Sequence, residues 1–242
     1  MIIEWRGKIG YGDIVSPICY AQNQSEITGK LVNLQFYWPT EPAEFIDINK
    51  ERCKQLVELL DLKNVIVDHI DDVHLPYNHT NYKAKILDWD DSYHNIYFPN
   101  IKIDPQYIVI GSPLNNKQAL ADYSAGKAWK DGLKKSEWIE IEKRGIVVDY
   151  TTPFDELVDI LSKCRYYIGY HGSITWMARL FGLPMTVFSQ DHSFTQWAFP
   201  WRIYHINDLD ACLDTSIRFI GQAKEKRNEY IQNESLHRSR SS

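Results

Sequence analysis

Apolar and polar positions alternate along this chain in a repeating rhythm of strand, helix, strand. Residues 1–5 form a short apolar strand that runs into a glycine-bearing turn at 7–13. A helix over 15–24 follows, and Pro17 is tolerated because it falls in the first turn, where its missing N–H has no partner to lose. Residues 31–38 alternate with period two, as a half-buried strand does. Residues 49–60 bring Cys53, Leu56, Val57 and Leu60 to one helical face, and 65–67 are a short buried strand. Strand, helix, strand, helix, strand is the pattern of a doubly wound α/β layer.

The stretch 68–105 is rich in Asp, His, Asn and Tyr, with a strand at 85–89; it reads as the end of one lobe and the crossing to a second. A new strand at 106–111 ends in Gly111-Ser112-Pro113, and the polar stretch 114–135 runs through loop and helix. Strands at 145–150, 166–169 and 185–189 alternate with helices at 153–164 and 173–181; the first of these carries Phe154, Leu157, Val158 and Leu161 as one stripe. Leu209, Leu213, Ile217 and Ile220 then predict a long C-terminal helix, acidic early and basic late, as the helix dipole favours. The expected fold is therefore α/β with two Rossmann-like lobes and a cleft between them. The boundaries are 1–104 and 105–206 for the lobes, 207–234 for a helix packing back toward the first lobe, and 235–242 for a disordered tail.

Composition narrows the classes. With 242 residues and 44% hydrophobic content the chain can build such a core. A net charge of -5 supplies no global basic field for nucleic acid. Cys19, Cys53, Cys164 and Cys212 form no CxxC pair, which points to reduced thiols rather than a disulfide framework or structural zinc. No apolar run reaches membrane-spanning length and the N-terminus reads as a strand, so a cytoplasmic location without a membrane span is expected.

Two strand–glycine–helix turns carry the chemistry. A helix start offers free backbone N–H groups and suits an anion. In Gly10-Tyr11-Gly12-Asp13 the glycines serve tight backbone geometry, and Asp13 either caps the next helix or takes a proton from a hydroxyl nucleophile. In Tyr170-His171-Gly172-Ser173-Ile174-Thr175 the alternatives are a satisfied histidine with Ser173 as N-cap, or an imidazole, two hydroxyls and backbone N–H groups holding a diphosphate. Ser173 lacks the G-x-S-x-G elbow of an α/β hydrolase.

Residues 153–188, from Pro-Phe-Asp-Glu-Leu through Gly169-Tyr170-His171-Gly172-Ser173 to Gly182-Leu183-Pro184-Met185-Thr186-Val187-Phe188, resemble the donor-binding lobe of GT-B glycosyltransferases, above all the heptosyltransferase-like family 9 group. Gly10-Tyr11-Gly12-Asp13 is similar to that family's first turn, and Lys127-Ala128-Trp129 to its Lys-x-Trp. The resemblance implies an acceptor lobe followed by a nucleotide-sugar donor lobe. It implies Asp13 as catalytic base, and donor contacts from Gly12, Lys127, Tyr170, His171, Gly172, Ser173, Thr175 and Gln190, with Asp191 and His192 beside the sugar. The family's Asp-Ser/Thr-Gly is replaced here by His171-Gly172-Ser173, so a nucleotide-sugar donor carries over and a heptose does not.

Asp88-Trp89-Asp90-Asp91 resembles the metal motif of GT-A enzymes, with an acidic solvated loop as the alternative; Asp68, His69, Asp71, Asp72 and His74 offer a similar choice. GT-B enzymes generally need no bound metal, and no metal or cofactor is expected beyond the nucleotide-sugar substrate. Of the eight Trp and fifteen Tyr, those in loops (Tyr11, Trp129, Trp197, Trp201) are candidates for stacking on a sugar or base. The expectation is an inverting glycosyltransferase acting on an acceptor hydroxyl of a glycan, metabolite, protein or modified DNA base. The alternative is a non-catalytic nucleotide or nucleotide-sugar binder on the same scaffold.

Overall fold

The structure, a computed structural model, describes residues 1–5, 11–37, 43–70, 85–86, 102–129, 132–170 and 172–188. It is α/β, with two four-stranded sheets whose strand pairs are all parallel. The described residues fall into two compact units, 1–86 and 102–188, with one sheet to each. The expected helix at 207–234 and the tail at 235–242 lie outside the described residues.

In the first unit β1 (Ile2–Trp5), α1 (Tyr11–Thr28), β2 (Val32–Tyr37), α2 (Ala43–Leu60), β3 (Val65–Ile70) and β4 (Lys85–Ile86) follow in order. The sheet order is β3-β2-β1-β4. Val32, Leu34 and Phe36 are buried on one face of β2, and Asn33, Gln35 and Tyr37 alternate onto the other. Ile3 and Trp5 share the buried face through their pairing with Leu34 and Phe36. α1 packs on β2, β3 and α2 and buries Ile14, Val15, Ile18 and Cys19 completely. Two of its polar residues hold the turn into β3: Gln22 Oε1 accepts the Lys63 N–H at 3.0 Å, and Ser25 Oγ donates to the Lys63 carbonyl at 3.1 Å. In that turn Asp61 and Asn64 both have left-handed φ, 45° and 57°.

Several boundaries differ from the periodicity. α1 begins at Tyr11, so Tyr11, Gly12 and Asp13 lie in its first turn and not in the turn ahead of it. Pro17 is consequently inside the helix, where it removes one N–H···O=C bond, against the expectation that it sat in the first turn. Ile14, Val15, Ile18 and Cys19 around it are completely buried. β3 continues past Val67 because Asp68, His69 and Ile70 pair with Gln35, Phe36 and Tyr37.

The second unit contains β5 (Tyr107–Gly111), α3 (Lys117–Ser124), α4 (Lys135–Glu142), β6 (Ile146–Val148), α5 (Phe154–Ser162), β7 (Cys164–Tyr170), α6 (Ser173–Leu180) and β8 (Met185–Phe188). Its sheet order is β6-β5-β7-β8. Ile110, Ile168 and Phe188 form one core with Leu133, Tyr166, Trp138 and Ile141. Trp138 meets Phe188 edge-on at 5.6 Å and is fully buried; truncating such a ring costs roughly 3–5 kcal/mol. α4, whose anchors are Trp138 and Ile141, was not evident from the sequence pattern. No helix among the described residues is long and apolar enough to cross a membrane.

Candidate functional site

In a parallel sheet the ligand crevice forms outside the carboxyl ends of two adjacent strands whose connections leave in opposite directions. In the second unit those strands are β5 and β7. The chain leaves β5 toward β6 on one side and leaves β7 toward β8 on the other. The β7–α6 turn singled out in the sequence thus stands at the switch point, opposite the end of β5.

Gly111 and Gly169 pair across these two strands. A Cβ on Gly111 would lie 2.0 Å from the Tyr167 hydroxyl oxygen, and one on Gly169 2.3 Å from the same atom. The tyrosine ring therefore occupies the space of both missing side chains. Its hydroxyl is 3.0 Å from Thr175 Oγ1, and Thr175 donates to the Tyr170 carbonyl at 2.5 Å. Since the threonine hydrogen is committed to that carbonyl, Tyr167 is the donor to Thr175. Burial pushes the Tyr167 phenol up, only partly offset by the Thr175 hydrogen bond, and the ring stays neutral. The chain Tyr167–Thr175–Tyr170 ties the strand, the first turn of α6 and the turn between them together.

Gly172 is the N-cap of α6 and has no side chain with which to cap it. The first N–H groups of any helix lack intrahelical partners. Gly172 and Ser173, at the first helical position, are partly exposed, as is Tyr170, whose ring meets Trp138 edge-on at 6.3 Å. Thr175 is fully buried and its hydroxyl is engaged internally, so it positions the turn and does not face a ligand.

The loops after β5 and β6 are braced to each other. Ser112 Oγ donates to Glu142 at 2.5 Å and accepts the Leu114 N–H at 3.1 Å. Asn115 donates its side-chain amide to Asp149, and Asn116 caps α3 by accepting from Gln118 and Ala119. Asp149 also accepts from the Thr151 N–H at 2.7 Å and the Thr151 hydroxyl at 2.6 Å. Burial alone would raise the Asp149 carboxyl, but hydrogen bonds from the Thr151 hydroxyl, Asn115 and the backbone of Thr151 and Thr152 outweigh it and hold the group below its ordinary value.

Of the residues expected in a site, Tyr170, Gly172, Ser173 and Thr175 are brought together at the β7–α6 turn. Gly12 and Asp13 lie in the first turn of α1, in the other unit. Lys127 is exposed beyond the end of α3, and nothing among the described residues joins its ammonium to the turn. Its neighbour Trp129 is buried and packs in the protein. His171, Gln190, Asp191 and His192 lie outside the described residues, as do Asp88, Asp90, Asp71, Asp72, His74, Trp197 and Trp201. Among the described residues no group of His, Cys, Asp and Glu is arranged to hold a metal ion. The sequence reading missed Tyr167 and Asp149; the available signals were the Tyr-x-Gly spacing of 167–169 and an aspartate directly after a strand. No family model, curated protein or solved structure matches the chain.

Proposed function

We propose that the protein binds a nucleotide sugar by its diphosphate at the β5/β7 switch point and transfers the sugar, with inversion, to an acceptor hydroxyl. The observation that supports this most is the coincidence of that switch point with an α6 start whose N-cap is glycine. A helix N-terminus with a bare cap is suited to an anion, and Ser173 adds a hydroxyl at the same place. The resemblance of 153–188 to a donor-binding lobe supports the same ligand. In this reading residues 1–104 form the acceptor lobe, 105–206 the donor lobe and 207–234 a C-terminal helix.

In the transfer, the acceptor oxygen forms a bond to the anomeric carbon as the bond from that carbon to the diphosphate oxygen breaks. Asp13 takes the acceptor proton. The diphosphate leaves with its charge stabilised by the α6 N–H groups, His171 and Lys127, which is electrostatic preorganisation. Gln190 contacts the sugar. A thermal-shift screen of the full chain against nucleoside diphosphates and their sugars tests the binding step. At a hundredfold excess over Kd a ligand stabilises the fold by about 2.7 kcal/mol. No shift with any of them would remove the reading. Slow donor hydrolysis to water, absent in Asp13→Asn, separates a transferase from a pure binder.

A further inference from the structure

The loop after β6 joins tight anchoring to an exposed aromatic ring. Asp149 is fixed by Thr151 and Asn115, and its own N–H donates to Thr152 Oγ1 at 3.0 Å. Tyr150, enclosed by those bonds, is nevertheless 53% exposed, and it is the one aromatic among the large exposed hydrophobics of the described residues. A single exposed apolar side chain is ordinary on a protein surface. Its address is what distinguishes it.

Val148 pairs with Gly111, and Gly111 with Gly169. Asp149 and Tyr150 therefore leave the sheet at the same level as Ser112 and the β7–α6 turn, on the carboxyl edge. Adjacent strands are about 4.8 Å apart, so the exit of β6 lies roughly 10 Å along that edge from the exit of β7. A ligand with its diphosphate at the start of α6 and extending over the end of β5 runs toward the β6 exit, where Tyr150 follows. The Asn115–Asp149 bond joins the β5 and β6 loops along that edge.

We propose that Tyr150 is the stacking platform for the base of a nucleoside diphosphate whose phosphates occupy the β5/β7 crevice. The proposal rests on the diphosphate site described above and adds the base end of the ligand. A tyrosine brings large planar area with few rotatable bonds, and a ring on a braced loop loses little further freedom when it stacks. Stacking is tolerant of base identity because every base has a π-face. Tyr150 thus supplies affinity for nucleosides as a class, and choice among bases lies with other residues.

Calorimetry on the full chain, with UDP, ADP and inorganic pyrophosphate as probes, tests this. Tyr150→Ala is expected to weaken UDP or ADP by about fivefold or more, the scale of one lost base–aromatic stack, while leaving pyrophosphate unchanged. Tyr150→Phe and Tyr150→Trp, which keep a ring, should retain nucleoside affinity, and Tyr150→Phe guards against a folding defect in the alanine variant. Unchanged nucleoside binding in Tyr150→Ala would overturn the proposal. So would an equal loss for pyrophosphate, which marks Tyr150 as a support of the loop. Wild-type protein that binds pyrophosphate but gains nothing from a nucleoside would remove the stacking role and leave the diphosphate site standing. Protein that binds none of the probes would remove both.

Discussion

Gly111→Ala is the most demanding perturbation of the switch point. The new methyl would stand 2.0 Å from the Tyr167 hydroxyl oxygen and 2.8 Å from the ring carbon that bears it. Tyr167 cannot retreat easily, since its side chain is almost wholly buried and its hydroxyl is bonded to Thr175. Overpacking of this kind costs about 1–3 kcal/mol, and displacing the hydroxyl forfeits a buried hydrogen bond worth about 1 kcal/mol. Together the loss is roughly 2–4 kcal/mol, or about 2–4 °C of Tm for each kcal/mol in a chain of this size. Tyr167→Phe alone should cost only the hydrogen bond, about 1 kcal/mol. In the double variant the oxygen clash is gone but the ring carbon remains close, so part of the glycine penalty should be recovered; residues in contact are expected to be non-additive. Urea unfolding of the four proteins, with two-state behaviour checked by a second probe, measures each quantity. A Gly111→Ala protein as stable as wild type, or losses that simply add, would refute the close approach of Tyr167 to this strand end.

Asp149→Asn should flatten the acid limb of the stability curve. The folded carboxyl lies below its ordinary 3.8, so its contribution is present above that pH and is lost as pH falls through the lower folded value; thermal melts from pH 6 to pH 2 show whether the limb changes. Cys53 and Cys164 are both pushed by burial up to about 12, so neither thiol should react with iodoacetamide at pH 8 until the protein unfolds, as mass spectrometry of the labelled chain would reveal. His171→Ala should weaken nucleotide-sugar affinity by roughly 1–3 kcal/mol in a protein that remains folded, read by calorimetry. Asp13→Asn should keep donor affinity while transfer, or hydrolysis in its place, falls by a factor of about 10²–10⁴.

The alternation of strands and helices was legible because most elements carry enough periodic apolar residues to declare themselves. α5, with Phe154, Leu157, Val158 and Leu161 on one stripe, and α6, beginning at Ser173, are the clearest cases. α4 was not legible: Trp138 and Ile141 are only two anchors in a run of Lys, Ser and Glu, too few to set a period. The early start of α1 was hidden by Gly12, since glycine in a helix costs about 1 kcal/mol and reads as a turn; burial of Ile14, Val15 and Ile18 overrides it. At the candidate site the sequence marked the β7–α6 turn because glycine, serine and threonine cluster there. It gave Thr175 a ligand's role, whereas the hydroxyl closes a bond to Tyr170 that only the fold creates. The Tyr167–Gly111 contact joins residues 56 positions apart and leaves no local trace.

Amide hydrogen exchange of the full chain, with and without a saturating nucleoside diphosphate, locates the bound phosphates on the backbone. Donor phosphates on the α6 start should slow exchange at Gly172 to Thr175, with weaker protection across Ser112 to Asn116. Protection confined to other segments, or none at a concentration where calorimetry shows binding, would place the ligand away from the α6 start and rule out a diphosphate site there.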